Sequence, residues 1–307
     1  MTQRILVTGG TGLLGRRLVA RLEEKGHTVV VTSRDCARAR ARLGETVECV
    51  EWDYRSQPFP APALEGVDAV FHLMGENIGA GRWTAAKKKA LRGSRIESTE
   101  KLVRALPDGV TDFLCASAIG VYPGDSSETF DERSVLPSPP RGFMARLCHD
   151  WEEAARAAAT PGRRQASLRI GLVLAESGLL GPLVPLYRLG LGGPIGSGEQ
   201  QMPWVHVDDL IEMMLFVLEH RELSGPINLV GPEPASLATF SRSLARVLGR
   251  PHFLRVPEFA VRLALGEAAA LVLSSYDVRP TRLREAGYVH RHADLEAALA
   301  DVVEDDD

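Results

Sequence analysis

The chain has little of several things that would assign it to a class at once. Only four of its 307 residues are cysteine (Cys36, Cys49, Cys115 and Cys148), with no C-x-x-C pair and no histidine at ligand spacing. They read as free thiols in a reducing compartment, so neither a disulfide framework nor a metal site is expected. Lysine is nearly as rare: Lys25, Lys87, Lys88, Lys89 and Lys101 are the only five, and none follows residue 101. No apolar run is long. The longest, Phe259 to Leu273, is interrupted by Arg262 and Glu267, short of the ~18 residues of a membrane span. Nor is there a basic excess: 36 Lys and Arg against 40 Asp and Glu leave a net charge of −4, which argues against a nucleic-acid partner. Met1-Thr2-Gln3-Arg4 leads straight into the first apolar run without a signal-peptide pattern, so a cytoplasmic location is expected, with no membrane partner.

What is present is a repeated alternation of short β-branched runs and longer helical patterns. Ile5–Val7, Thr28–Thr32, Val47–Trp52, Ala69–Leu73, Phe113–Ala116, Ser167–Leu174 and Ile227–Val230 read as strands. Leu14–Lys25, Ser98–Ala105, Gly142–Ala159 and Val205–His220 read as helices. Continuous apolar strands joined by helical crossovers imply an α/β fold, a doubly wound parallel sheet of the Rossmann type. Glu176–Gln201 is rich in Gly and Pro and reads as loop with room for one short helix. Beyond it helices are expected over Ser236–Leu248, Glu258–Leu273 and Asp294–Val303, with Glu304–Asp307 as a frayed acidic tail. The expected organisation is a nucleotide-binding domain over 1–174 with 205–232, and a smaller, mostly helical substrate or lid domain over 175–204 with 233–307.

The strongest motif is TGGTGLLG, Thr8 to Gly15, between the first strand and the first helix. Its glycines (Gly9, Gly12 and Gly15, with Gly10) allow a tight turn, close approach of a pyrophosphate and close helix–strand packing. Thr11, Leu13 and Leu14 complete the loop, and the anion would sit at the helix N-terminus. About 20 residues on, where an NAD enzyme carries an acid for the ribose, the second strand ends Ser33-Arg34-Asp35, with Arg38 one helical turn later. A small neutral residue followed by guanidinium groups suits a 2′-phosphate, and Asp35 is expected to cap the next helix. The cofactor expected is therefore NADP(H).

These residues resemble the extended short-chain dehydrogenase/reductase superfamily over almost the whole chain. HLMGENIGAGRWTAAKKKALRGSRIEST (His72–Thr99) and LGLGGPIGSGEQQMPWVHVDDL (Leu189–Leu210) are similar to one atypical branch. That branch is the bacterial "epimerase family" proteins, sometimes labelled cell-division inhibitors, with a C-terminal domain of unknown function. The resemblance implies Ser33 and Arg34 on the 2′-phosphate, Leu73 and Met74 over the adenosine with Gly75 beside them, and further cofactor contacts from Arg95 and Val173.

The mainstream superfamily uses a tyrosine with a lysine four residues later, the lysine lowering the phenol pKa. Here Tyr54, Tyr122, Tyr187, Tyr276 and Tyr288 are followed at that spacing by Pro58, Ser126, Leu191, Pro280 and His292. The usual positions fall on Met144 and Cys148, and the partner serine or threonine on Ala118. Tyr122, Glu76 and Ser117, near the carboxyl edge of the sheet, are the substitute catalytic candidates. For Tyr122 the alternative is a loop tyrosine packed under Pro123, and for Glu76 a role in binding backbone amides. His206 is expected to serve the start of a helix, Cys148 to be an inert buried thiol, and Lys87–Lys89 to be a solvated face. Gln200, Gln201 and Arg188 are candidate substrate anchors. Two functions remain open: an NADP(H)-dependent oxidoreductase or epimerase of atypical mechanism on a small polar or nucleotide-linked carbonyl, and a non-catalytic NADP(H) sensor. Either is compatible with a homo-oligomer.

Overall fold

A central parallel sheet gathers most of the strands, and the computed structural model describes residues 2–304 around it. In chain order its first half runs β1 (Arg4–Thr8), α1 (Leu13–Glu24), β2 (Thr28–Ser33), α2 (Cys36–Leu43), β3 (Glu48–Glu51), β4 (Ala69–His72), α3 (Ala85–Arg92), α4 (Ser98–Ala105) and β5 (Asp112–Ala118). There follow β6 (Thr129–Phe130), α5 (Gly142–Arg156), β7 (Arg164–Ile170), β8 (Leu172–Leu174), α6 (Leu180–Arg188), β9 (Gln201–Met202), β10 (Trp204–His206), α7 (Val207–Glu219) and β11 (Gly225–Leu229). The chain closes with β12 (Ala235–Ser236), α8 (Leu237–Val247), α9 (Glu258–Leu265), α10 (Ala270–Leu273), β13 (Asp277–Val278), α11 (Thr281–Glu285) and α12 (Leu295–Glu304).

The seven-stranded sheet has the order β11-β7-β5-β4-β1-β2-β3, so the chain reverses direction across the sheet between β1 and β4. Ligands of open α/β sheets bind at that switch point, outside the carboxyl ends of the strands. The register aligns those ends: Thr8 lies opposite both Thr32 and His72. The strands are apolar throughout because both faces are covered. Ile5, Val7, Val29, Val31 and Phe71 pack with Leu18 and Leu22 of α1 and Leu210 and Met214 of α7. Leu6, Val30, Val70 and Phe113 face the other way, onto Leu102 of α4 and Trp151 and Ala155 of α5. A third cluster joins α6, α8 and α12 through Leu180, Val184, Phe240, Leu244 and Leu299. No helix of the described residues is long and apolar enough to cross a membrane.

Four expectations need correction. The run Ser167–Leu174 is two strands, not one, because Gly171 carries the chain past Pro203 where a side chain would collide with the Pro203 carbonyl. Thus β7 stays in the main sheet while β8 leaves it to pair with β10. Val205 and His206 belong to β10, so the helix begins at Val207. The helix over Glu258–Leu273 breaks at Gly266, whose φ of +60° no helix interior adopts. Cys36 and Cys49 are not free thiols: α2 turns back onto β3, brings their Cα atoms to 5.6 Å and the two are disulfide-bonded. Cys115 and Cys148 are free and buried. Asp305–Asp307, in the expected acidic tail, lie outside the described residues; Glu304 ends α12.

Candidate active site at the carboxyl edge of the sheet

The loop after β1 is built around its glycines. Gly9 has a φ of +73°, and a Cβ there would stand 3.0 Å from the Leu73 and Met74 backbone. At Gly15 a Cβ would collide with the Gly9 carbonyl and stand 2.7 Å from Gly10 Cα, so only glycine lets α1 pack this close to β1. Helix α1 begins at Leu13 after Gly12, which offers no side-chain cap, and its first turn carries no acidic residue. Its leading amides are therefore without side-chain acceptors, and the helix dipole places partial positive charge there. This end fits a diphosphate, with Gly9, Thr11, Gly12, Leu13, Leu14 and Gly15 around it.

At the end of β2 the Ser33 hydroxyl donates to the Asp35 carbonyl at 3.0 Å. Asp35 caps α2: its Oδ1 accepts from the Arg38 amide at 2.9 Å. That carboxylate is committed to the helix, as expected, which leaves Arg34 and Arg38 exposed at the strand end. After β4 the chain passes Leu73, Met74 and Gly75, where a Cβ on Gly75 would lie 3.1 Å from the Arg95 guanidinium. Arg95 stands on a π-helical turn over Gly93–Glu97 between α3 and α4. It donates to the Glu76 carbonyl at 3.1 Å and lies over the Trp151 ring at 5.1 Å. Val173, in β8, is half-buried and lies opposite Val205 of β10.

The structure separates the three catalytic candidates. Ser117 and Tyr122 are only 3% and 1% exposed. Ser117 donates to Glu152 at 2.7 Å, and Arg169 holds the same carboxylate with two bonds, at 2.8 and 2.9 Å. Arg169 also donates to the Tyr122 hydroxyl at 2.9 Å, and that hydroxyl bonds Asn228 Oδ1 at 2.8 Å. Burial pushes the Tyr122 phenol up to about 12. Both side chains are tied into a closed polar network that fixes β5, β7, β11 and α5 together. Tyr122 is thus a buried tyrosine, stacked on Phe130 with ring centroids 5.4 Å apart. Glu76 is outside this network. It pairs with Lys87 at 2.9 Å, which holds its carboxyl below the usual range.

Met144 and Cys148 do face the turn after β5: a Cβ on Gly120 would stand 2.8 Å from Met144 Cε and 3.5 Å from Cys148 Sγ. Burial pushes the Cys148 thiol up to about 12, so it is neutral and inert. A segment that sequence reading passed over closes on this place. Between α10 and β13, the Ser275 amide donates to the Gly124 carbonyl at 2.9 Å and the Tyr276 amide to the Gln201 carbonyl at 2.9 Å. The Gln201 amide in turn donates to Ser275 Oγ at 3.0 Å. The Gly-Pro loop is likewise anchored, since Gly196 and Val256 amides bond Val256 and Pro194 carbonyls at 2.9 and 3.0 Å. No short-range signal marks the segment; only the C-terminal helices bring it to the sheet.

A family model described as the NAD dependent epimerase/dehydratase family matches residues 5–231. The chain belongs to that family. A second model, a domain of unknown function (DUF1731), matches residues 256–302, the region that carries the anchored segment. Among relatives of the family, an epimerase family protein of Mycobacterium leprae (ML0860) is 37% identical over 300 residues, 96% of this chain and 94% of that protein. The epimerase family protein YfhF of Bacillus subtilis is 33% identical, with 98% of each chain covered. Among solved structures, human epimerase family protein SDR39U1 with NADPH superposes with a TM-score of 0.87 at 32% identity, covering 98% of this chain and 99% of that one.

Within this family framework the remaining sequence candidates take structural places. His206 caps α7, its Nδ1 accepting from the Asp208 amide at 3.2 Å, the helix-start role expected of it. It stacks on His292 with ring centroids 3.7 Å apart. Donor atoms of His206, Asp208, His292 and Asp301 lie within 4.8 Å of one another, a grouping that sequence spacing did not reveal. The cap fixes the proton of neutral His206 on Nε2, which faces Asp301 Oδ2 at 3.2 Å, and a protonated ring nitrogen has no lone pair to give a cation. Lys87 and Lys88 pair with Glu76 and Glu267 at 2.9 and 2.5 Å, so that basic stretch is only in part a solvated face.

Proposed function

We propose that the protein is an NADP(H)-dependent oxidoreductase or epimerase of atypical mechanism, acting on a small polar or nucleotide-linked carbonyl substrate. The observation that carries the coenzyme half is the uncapped, acid-free start of α1 against a strand end whose only carboxylate, Asp35, is consumed as a helix cap. The loop glycines cradle the diphosphate, Ser33 and Arg34 take the 2′-phosphate, and Leu73, Met74 and Gly75 cover the adenosine side. Arg95 and Val173 make further contacts with the coenzyme. SDR39U1, similar along its whole length, was crystallised with NADPH, which supports the same preference here. When bound, the reduced nicotinamide supplies a hydride; the protein orients the acceptor, excludes water and provides a proton.

Calorimetric titration of the native protein with NADPH and NADH tests the reading. NADPH is expected to bind at least about tenfold more tightly, one charge-assisted phosphate contact being sufficient for that. Equal affinities would overturn the NADP assignment. Tight NADPH binding with no turnover across a panel of aldehydes, ketones and nucleotide sugars would favour the non-catalytic reading instead.

A further inference from the structure

With Met144 and Cys148 at the places of the usual tyrosine and lysine, α5 does not carry the tyrosine that serves as proton donor in the mainstream superfamily. Of the five tyrosines, Tyr54, Tyr122 and Tyr187 are buried, and the Tyr288 hydroxyl is bonded to Asp209. Tyr276 is different. It is half-buried, it packs against the cluster of Ile119, Val121 and Cys148 together with Met144, and it reaches the turn after β5 from the other end of the chain. A Cβ on Gly124 would stand 2.9 Å from the Tyr276 hydroxyl and 2.9 Å from Ser274 Oγ, so both hydroxyls rest on a glycine that leaves them room. The main-chain bonds of Ser275 and Tyr276 to Gly124 and Gln201 hold this arrangement from both sides.

We propose that Tyr276 is the proton donor of this site, supplied by the C-terminal segment in place of the absent tyrosine of α5, with Ser274 orienting its hydroxyl. This rests on the coenzyme reading above. The phenol O–H bond breaks as a new O–H bond forms on the substrate's carbonyl oxygen, while the carbonyl carbon takes the hydride; water then reprotonates the phenolate. The groups facing the phenol are Ser274, Cys148 and Asp125. Burial, and to a lesser degree the Asp125 carboxylate, raise its pKa and the Ser274 bond opposes them, so the group stays protonated at neutral pH, the state in which an acid must wait.

The test places difluorotyrosine at position 276 of the full-length protein, lowering the phenol pKa into a range the fold survives, and follows its fluorine resonance against pH with NADPH or NADP+ bound. The two forms differ by a positive charge on the nicotinamide ring, so a phenol within reach of that ring should titrate about one unit or more lower with NADP+. In parallel, Tyr276→Phe should bind NADPH as the native protein does and lower kcat about 100-fold on any carbonyl the native protein reduces. Nucleotide binding with an unmoved transition would overturn the assignment of Tyr276 alone. No binding of either nucleotide to the native protein would remove the coenzyme reading and this assignment with it.

Discussion

The two edges of the site are made in different ways. The coenzyme edge draws mainly on three β–α turns within the first hundred residues, and its diphosphate end is made of backbone amides exposed by glycine. The carbonyl edge we propose would draw on residues 119–124 and 144–148, on Gln201 and on 274–276, and any chemistry there needs a side chain. A backbone-built phosphate site tolerates little change because a Cβ is the obstacle. A side-chain function can move to another element that reaches the same point. That difference explains how a chain can keep TGGTGLLG intact while losing the whole tyrosine–lysine pair.

The largest expected effect breaks the coenzyme edge. Gly15→Val places atoms on the Gly9 carbonyl and the Gly10 backbone, and overpacking of this kind costs about 3 kcal/mol. NADPH affinity should fall on the order of 100-fold by calorimetry. Gly162→Ala, where a Cβ meets nothing within 4 Å, should change neither affinity nor melting temperature, and a matching loss there would deny that close packing is the cause.

Beneath both edges lies His72, fully buried at the end of β4, with Nδ1 2.6 Å from Thr8 Oγ1 and Nε2 3.3 Å from Ser98 Oγ. Burial pushes its pKa from 6.5 down to about 3, so the folded state keeps it neutral while the unfolded chain takes up a proton below 6.5. Its contribution to stability is complete above 6.5 and is lost as pH falls toward 3. Between pH 7 and pH 5 that is about 2 kcal/mol. Urea unfolding at the two pH values should show His72→Asn losing less stability than the native protein; an equal loss would mean His72 is protonated in the fold.

Next in size is Tyr122→Phe, which separates structure from chemistry at the carbonyl edge. It leaves Asn228 Oδ1 and an Arg169 N–H short of a partner in a buried network, at about 1–2 kcal/mol. The melting temperature should drop while NADPH affinity and turnover below the melt persist. Lost turnover in a folded variant would return Tyr122 to the site.

How much of this was legible follows the same division. The glycine turn and the cap at Asp35 are local, and each stands where the sequence pattern put it. What escaped is long-range. The Cys36–Cys49 disulfide depends on α2 folding back along β3, which a separation of 13 residues does not announce. Tyr122 and Ser117 are near the right edge of the sheet, but their partners Glu152, Arg169 and Asn228 come from α5, β7 and β11, and only the assembled network shows them to be buried. Ser274–Tyr276 lies about 150 residues from Gly124, and no pattern within the segment marks it as part of a site.

The smallest effect expected sharpens the coenzyme edge instead of breaking it. Arg34 is exposed, so solvent and salt weaken whatever it does, and the handful of kcal/mol a buried guanidinium–phosphate pair would contribute does not apply. Arg34→Ala should lower NADPH affinity about tenfold, or about 1.4 kcal/mol, leave NADH affinity unchanged, and lose part of that difference in high salt. Asp35→Ala is the contrast. Its carboxylate binds the Arg38 amide, so its removal should lower thermal stability by about 1 kcal/mol without altering the ratio of the two affinities. Were Asp35→Ala to weaken NADH selectively, the carboxylate would be reaching a ribose after all. The strand end would then read as an NAD site in which the cap is only the resting partner of Asp35.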